Sequence, residues 1–215
     1  MSLRRFAVLL FALFALSTLS LAQKVDVAFV AGAALTSDAT VHEAGTCLTP
    51  CNLDVKFSSG TDFFLEITGA VRLANFKFAS LHLEVPIAHI PGAPVTFTNA
   101  FGTPQDVGEK FSAVFITPSL QLRLAPGSPV SPFVSFGGGW ARYALPDHNN
   151  FGALQFGGGV DIKTRIPLLG IRAEARDFMT AQPNFAGGTL FPPGSQGISS
   201  RRHNVLVGGG IASRF

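Results

Sequence analysis

The chain has 215 residues, 47% hydrophobic and only 13% charged, against about 25% charged in an ordinary soluble domain. That length fits one domain, and the shortage of charge argues against a conventional soluble surface. The formal net charge of +3 belongs largely to the N-terminus: without Arg4 and Arg5, fourteen basic residues face thirteen acidic ones, which leaves no basic stripe for a nucleic-acid partner.

Residues 1–22 read as a secretory signal peptide. Arg4 and Arg5 form the basic start, Phe6 to Leu16 is an apolar run, and Ser20-Leu21-Ala22 supplies the small residues a signal peptidase needs. Cleavage after Ala22 leaves a mature domain over residues 23–215. The run is short for a spanning helix, which needs about 20 apolar residues, and no second run of that length follows. Export implies an oxidising compartment, so Cys47 and Cys51, in Thr46-Cys47-Leu48-Thr49-Pro50-Cys51, are expected to close a small loop disulfide. His42 and Glu43 nearby lack the second ligand pair a metal site requires; neither metal nor cofactor is expected.

Eight period-2 segments follow, each near the 9 to 11 residues of a tilted membrane strand. They run from Lys24 to Leu35, Thr61 to Leu73, Phe78 to Ala88, Lys110 to Leu124, Pro132 to Tyr143, Gly152 to Thr164, Leu169 to Met179 and His203 to Phe215. One face of each is apolar, as in Phe63, Leu65, Ile67, Val71 and Leu73, or Leu154, Phe156, Val160 and Ile162. Short gaps at Ala74 to Lys77, Ala125 to Ser131 and Arg165 to Leu168 alternate with longer ones at Thr36 to Gly60, His89 to Glu109, Ala144 to Phe151 and Thr180 to Arg202. The expected fold is therefore an all-β, eight-stranded antiparallel up-and-down transmembrane barrel, with short turns and both mature termini on the periplasmic side and long loops outside. Pro86 and Pro118 fall inside these segments and, lacking a ladder donor, are expected at a strand end or a bulge. Trp140 and Tyr143 are expected at a membrane–water interface.

The faces opposite the apolar ones carry Glu66, Arg72, Glu84, Arg123, Asp161, Lys163, Arg172, Glu174 and Arg176. An eight-stranded barrel is just wide enough for side chains to fill it, and buried charges need partners, so these residues are expected to form a lumen network. A triplet of glycines between apolar residues recurs at Phe136 to Trp140, Phe156 to Val160 and Val207 to Ile211, and its outer glycines fall on the inward phase. They read as packing and curvature devices. Ser80, His82 and Glu84 alternate on one inward face, a spacing any strand imposes, and no Gly-x-Ser-x-Gly elbow is present. No enzymatic role is expected.

The pattern resembles the small outer-membrane barrels of the OmpA/OmpX type over essentially all of Gln23 to Phe215, most specifically in the alternation of Val205, Val207, Gly209, Ile211, Ser213 and the terminal Phe215, where Ser213 departs from the usual apolar residue. The resemblance implies that Val207, Ile211 and Phe215 form the C-terminal signal for the outer-membrane insertion machinery. It further implies outer-membrane lipid and periplasmic chaperones as partners of a monomer. The leading expectation is an integral outer-membrane protein with a structural, binding or adhesive role through its loops. A narrow solute or ion channel, an outer-membrane lipid-modifying enzyme and a soluble ligand-binding barrel of lipocalin type are the alternatives.

Overall fold

The computed structural model describes residues 24–37, 39–45, 51–59, 61–98, 104–144, 148–181 and 201–214. Its strands are β1 (Val25–Thr36), β2 (Ala39–Gly45), β3 (Cys51–Ser59), β4 (Asp62–Asn75), β5 (Ala79–Thr98), β6 (Pro104–Ile116), β7 (Ser119–Leu124), β8 (Val130–Ala144), β9 (His148–Lys163), β10 (Leu169–Ala181) and β11 (Arg201–Arg214).

Eight staves close into an up-and-down antiparallel barrel. Seven are β1, β4, β5, β8, β9, β10 and β11; the eighth is β6 and β7 in line, interrupted at Thr117 and Pro118. Pairing of β1 with β11, from Asp26 opposite Arg214 to Thr36 opposite Asn204, completes the ring. Closure matters energetically because an open sheet edge in lipid leaves its N–H and C=O groups unpaired, at several kcal/mol each.

The burial pattern is inverted relative to a soluble barrel. Along β4, Phe63, Leu65, Ile67 and Leu73 are exposed while Phe64, Glu66, Thr68 and Ala70 are buried. Around the wall Phe29, Leu83, Leu120, Phe136, Phe156, Ile171 and Ile211 also point outward. Charged and polar side chains occupy the interior.

Three differences from the sequence reading concern the wall. First, β5 continues ten residues past Ala88, to Thr98. Pro91 and Pro94 obscure the extension, and the β5–β6 register shifts between Ile90 and Ala93 and again between Pro94 and Thr96, so bulges absorb the missing donors. Second, the connection from Thr36 to Gly60 holds the β2–β3 hairpin, whose β3 pairs with the far end of β5. Third, Pro86 lies in mid-strand, not at an end. It faces the break at Thr117–Pro118: β5 pairs with β7 as far as Glu84 opposite Ser119, and with β6 from Ile87 opposite Ile116. The two residues that cannot donate therefore sit at one interruption, bridged by Thr117 N–H donating to Pro86 O at 3.3 Å. Gly138 N–H donates to Pro118 O at 3.2 Å from the other side.

Candidate functional site in the barrel lumen

The lumen is layered along the barrel axis. At the end carrying the short turns and the described termini, Arg123 Nη1 contacts Asp26 Oδ2 at 2.6 Å and Arg123 Nη2 contacts Asp161 Oδ2 at 3.2 Å. Arg172 holds Asp161 with two parallel bonds, Nε to Oδ1 at 2.8 Å and Nη2 to Oδ2 at 3.0 Å, the bidentate geometry that suits guanidinium to carboxylate. Its Cζ also lies 4.7 Å from the centroid of the Phe133 ring. Arg214 Nη2 reaches Asp161 Oδ2 at 2.9 Å.

In the middle layer three glutamates surround one arginine. Arg176 meets Glu66 at 3.1 Å, Glu84 at 2.7 Å and Glu174 at 3.1 Å. Gln121 Nε2 donates to Glu84 Oε2 at 2.8 Å, Ser119 Oγ donates to Glu84 Oε1 at 3.1 Å, and Thr68 Oγ1 donates to Glu66 Oε1 at 2.7 Å. Arg123 Nη2 donates to Gln121 Oε1 at 3.0 Å, which ties the two layers together.

Toward the long connections the interior turns apolar. Val30, Phe64, Ile90, Phe115, Phe178 and Leu206 are buried at 0–1% exposure. The rings of Phe115 and Phe178 stack at 4.8 Å, and Tyr143 meets Phe115 edge-on at 5.9 Å. Tyr143 Oη and Thr180 Oγ1 share a hydrogen bond of 2.7 Å, and Asn204 Nδ2 donates to Tyr143 Oη at 3.0 Å. This corrects the interfacial placement expected for Tyr143: it is wholly buried in the lumen. Trp140, three residues earlier, faces outward and is 38% exposed. The odd spacing puts the two on opposite faces.

Glycines make room for the network. On β10, Glu174 lies opposite Gly159 of β9 and Gly208 of β11, while Arg172 is opposite Gly210 and Arg176 opposite Gly157. A Cβ on Gly157, Gly159, Gly208 or Gly210 would overlap backbone or the β10 side chains. The outward central glycines are less confined: a Cβ on Gly209 would meet only Arg172 O, at 3.6 Å. Gly137 and Gly139 serve a different purpose, since a Cβ there would strike Pro118 O or Ile116 O at the β6–β7 break.

Of the nine charges expected in a network, Glu66, Glu84, Arg123, Asp161, Arg172, Glu174 and Arg176 are brought together. Lys163 is not: it is exposed, and its Nζ donates to Gly127 O at 2.9 Å across the turns. Arg72 is half-buried at the lumen mouth; its N–H donates to Lys24 O at 3.1 Å, while its side chain makes no hydrogen bond or ion pair with the other described residues. Asp26 and Arg214 also belong to the network; Asp26 alternates with Val25 and Val27, and Arg214 lies out of phase with Val207, Ile211 and Phe215, which is the signal the sequence offers for both. Ser80 Oγ and His82 Nε2 share a 2.9 Å hydrogen bond, but Glu84 is bound to Arg176, Gln121 and Ser119, and the carboxylate nearest the His82 ring is Asp26, 3.9 Å from Nδ1. Val207 and Ile211 face outward at 47% and 55% exposure. Phe215 and Cys47 lie outside the described residues, as does the loop disulfide expected between Cys47 and Cys51.

No protein-family model matches the chain, and no curated protein matches it. Solved structures do. The outer membrane protein OprG from Pseudomonas aeruginosa superposes with a TM-score of 0.52 at 10% identity, over 90% of this chain and 96% of that one. Neisserial surface protein A gives 0.49 at 16% identity over 90% and 97%. Ail, the attachment invasion locus protein of Yersinia pestis, gives 0.43 at 11% over 89% and 99%. The fold is that of the small outer-membrane barrels of the OmpA/OmpX type.

Proposed function

We propose that the chain is an integral outer-membrane protein that serves as a rigid, closed-lumen scaffold, with a structural, binding or adhesive role carried by its long connections. The observation that carries this reading is the inverted wall: an apolar outer face around a barrel whose charges point inward and pair with one another. Water would reward the opposite arrangement, whereas lipid rewards this one. The filled interior supports the absence of a conducting role, because the side chains of Glu66, Glu84, Glu174 and Arg176 are at most 2% exposed and the stacked Phe115 and Phe178 layer lies beyond them. Under this reading the short turns and both termini face the periplasm, the partners are outer-membrane lipid and, during biogenesis, the insertion machinery and periplasmic chaperones, and the barrel is a monomer. Binding then falls to the loops, as is usual on rigid scaffolds.

We assign no catalysis to the Ser80–His82 pair. Ser80 is fully buried, and Asp26 is committed to Arg123. The test has two parts. Cell fractionation followed by electrophoresis with and without boiling should place a heat-shifted compact form in the outer-membrane fraction; a soluble periplasmic protein without that shift overturns the membrane assignment. Planar-bilayer recording of the refolded barrel should give no conductance steps; steady, reproducible steps replace the scaffold reading with that of a channel.

A further inference from the structure

A cavity of about 400 Å³ opens at the short-turn end of the lumen, within the range of about 300–1,000 Å³ typical of small-molecule sites. Its lining is strongly one-signed. Lys24, Arg72, Arg123, Lys163 and Arg214 surround it, against the single carboxylate of Asp26. Counting Asp161 beneath, five cations face two anions, and both anions are already engaged by Arg123. The side chain of Arg72 pairs with none of the other described residues, and Lys163 reaches only a turn carbonyl.

A second observation points the same way. His82 lines the cavity at 2% exposure, and its Nδ1 has no hydrogen-bond partner. In the tautomer whose Nε2 accepts from the Ser80 hydroxyl, Nδ1 carries the hydrogen and can donate into the cavity. Arg123 Nε, also buried against the cavity, is likewise unpartnered. A buried donor without an acceptor costs about 1–3 kcal/mol, and here Arg123 Nε, His82 Nδ1 and the unpaired side chain of Arg72 converge on one space. The one carboxylate in that space, Asp26, is already engaged by Arg123.

We infer that this mouth is a binding site for a phosphate-class oxyanion. A single carboxylate would be satisfied by one arginine; cations contributed from β4, β7, β9 and β11 around one cavity suit a multiply charged group with several acceptor oxygens. The rim adds a chemical hint of its own. Ile166 and Leu168 on the β9–β10 turn line the cavity and are about 60% exposed, so apolar surface adjoins the cationic floor. A soluble phosphate ester and the phosphate of a lipid headgroup share the chemistry required. The inference rests on the barrel alone and is independent of what the loops do.

The test uses the refolded mature barrel in uncharged detergent micelles, with folding verified by the heat-dependent electrophoretic shift. Titration calorimetry with inorganic phosphate should show saturable binding. The double variant Lys24→Gln/Arg72→Gln removes two cations that hold no partner in the barrel wall, so it should fold and bind phosphate at least tenfold more weakly. Arg201→Gln, at the other end of β11, should bind as the parent does. Displacement of bound phosphate by added phosphatidylglycerol, and not by phosphatidylcholine, assigns a lipid headgroup; binding indifferent to both assigns a soluble phosphate. Absence of saturable binding in a heat-shifted, folded barrel overturns the site, as does undiminished binding by the double variant. An unshifted parent protein indicts the barrel assignment instead.

Discussion

Arg176 and Glu84 lie 92 positions apart in the chain and meet at 2.7 Å in the middle of the lumen. Glu66 and Glu174 converge on the same guanidinium, so one cation on β10 answers carboxylates on three strands. Arg176→Met should therefore strand three buried carboxylates and cost about 3–5 kcal/mol. Urea unfolding of the refolded barrel in detergent measures it. Combining the change with Glu66→Gln and Glu84→Gln should recover much of the loss, because the uncompensated charge goes with it. Unchanged stability in Arg176→Met alone would remove the network from the account of what holds the barrel.

The glycines offer a sharper contrast. Gly159→Ala would put a methyl group 2.7 Å from the Phe133 ring and 2.8 Å from Glu174 Cβ, and into Ala173 O. Such overpacking typically costs about 1–3 kcal/mol. Gly209→Ala, facing outward with its nearest neighbour at 3.6 Å, should be neutral or stabilise by up to about 1 kcal/mol through the unfolded chain. The heat-resistant fraction of each variant, scored on one gel, ranks them; equal behaviour would contradict the inward packing role.

The outer face separates membrane from soluble barrel directly. Ile67 sits mid-strand, opposite Phe29 and Ile87, all three exposed. Ile67→Arg should lower stability in lipid vesicles by about 2–4 kcal/mol, whereas Leu35→Arg, near the end of β1, should cost about 0–1 kcal/mol. In a water-facing wall neither change would carry such a penalty, so a neutral Ile67→Arg would count against lipid on that face.

Ala125 holds φ 45° in the turn between β7 and β8, a left-handed conformation that costs an L-residue about 1–2 kcal/mol. Its N–H donates to Phe78 O at 2.8 Å and its carbonyl accepts from Ser128 N–H at 2.9 Å, so the conformation is fixed by bonds on both sides. Ala125→Gly should raise the unfolding free energy by about 1 kcal/mol without moving the turn. A loss of stability in urea would show that the Ala125 methyl contributes more than its strain costs.

Much of the wall is readable from the residues because a strand's two faces are written into a period of two. The phase that puts Ile67 outside puts Glu66 inside, and no tertiary knowledge is needed. Asp26 follows the same rule, although the apolar face of β1 is its stronger signal. The phase of Tyr143 points it inward, while the amphipathic character of its ring points to an interface, and the phase prevails. The extension of β5 was hidden by Pro91 and Pro94, since nothing local says that bulges will absorb them. Which arginine meets which glutamate depends on the stagger between staves, a property of the closed ring. Nor does a local pattern reveal that Pro86 and Pro118 face one another: each alone reads as a flaw, and only their common level makes them one interruption.

Arg176 on β10 finds Glu84 on β5, and Arg123 on β7 finds Asp26 on β1; neither partner is a neighbouring stave. A growing, unclosed sheet thus leaves Glu84 and Asp26 without their arginines, although Arg176 can already meet Glu174 on its own strand and Arg123 can meet Asp161 two staves away. The cross-lumen pairs form only when β1 meets β11, whereas Arg172 and Asp161 can already pair across the neighbouring β9 and β10. The last seam and the cross-lumen part of the quenching are a single event, so part of the reward for insertion arrives with the final strand. A chain built this way has reason to stay sheltered until its final strand is in hand.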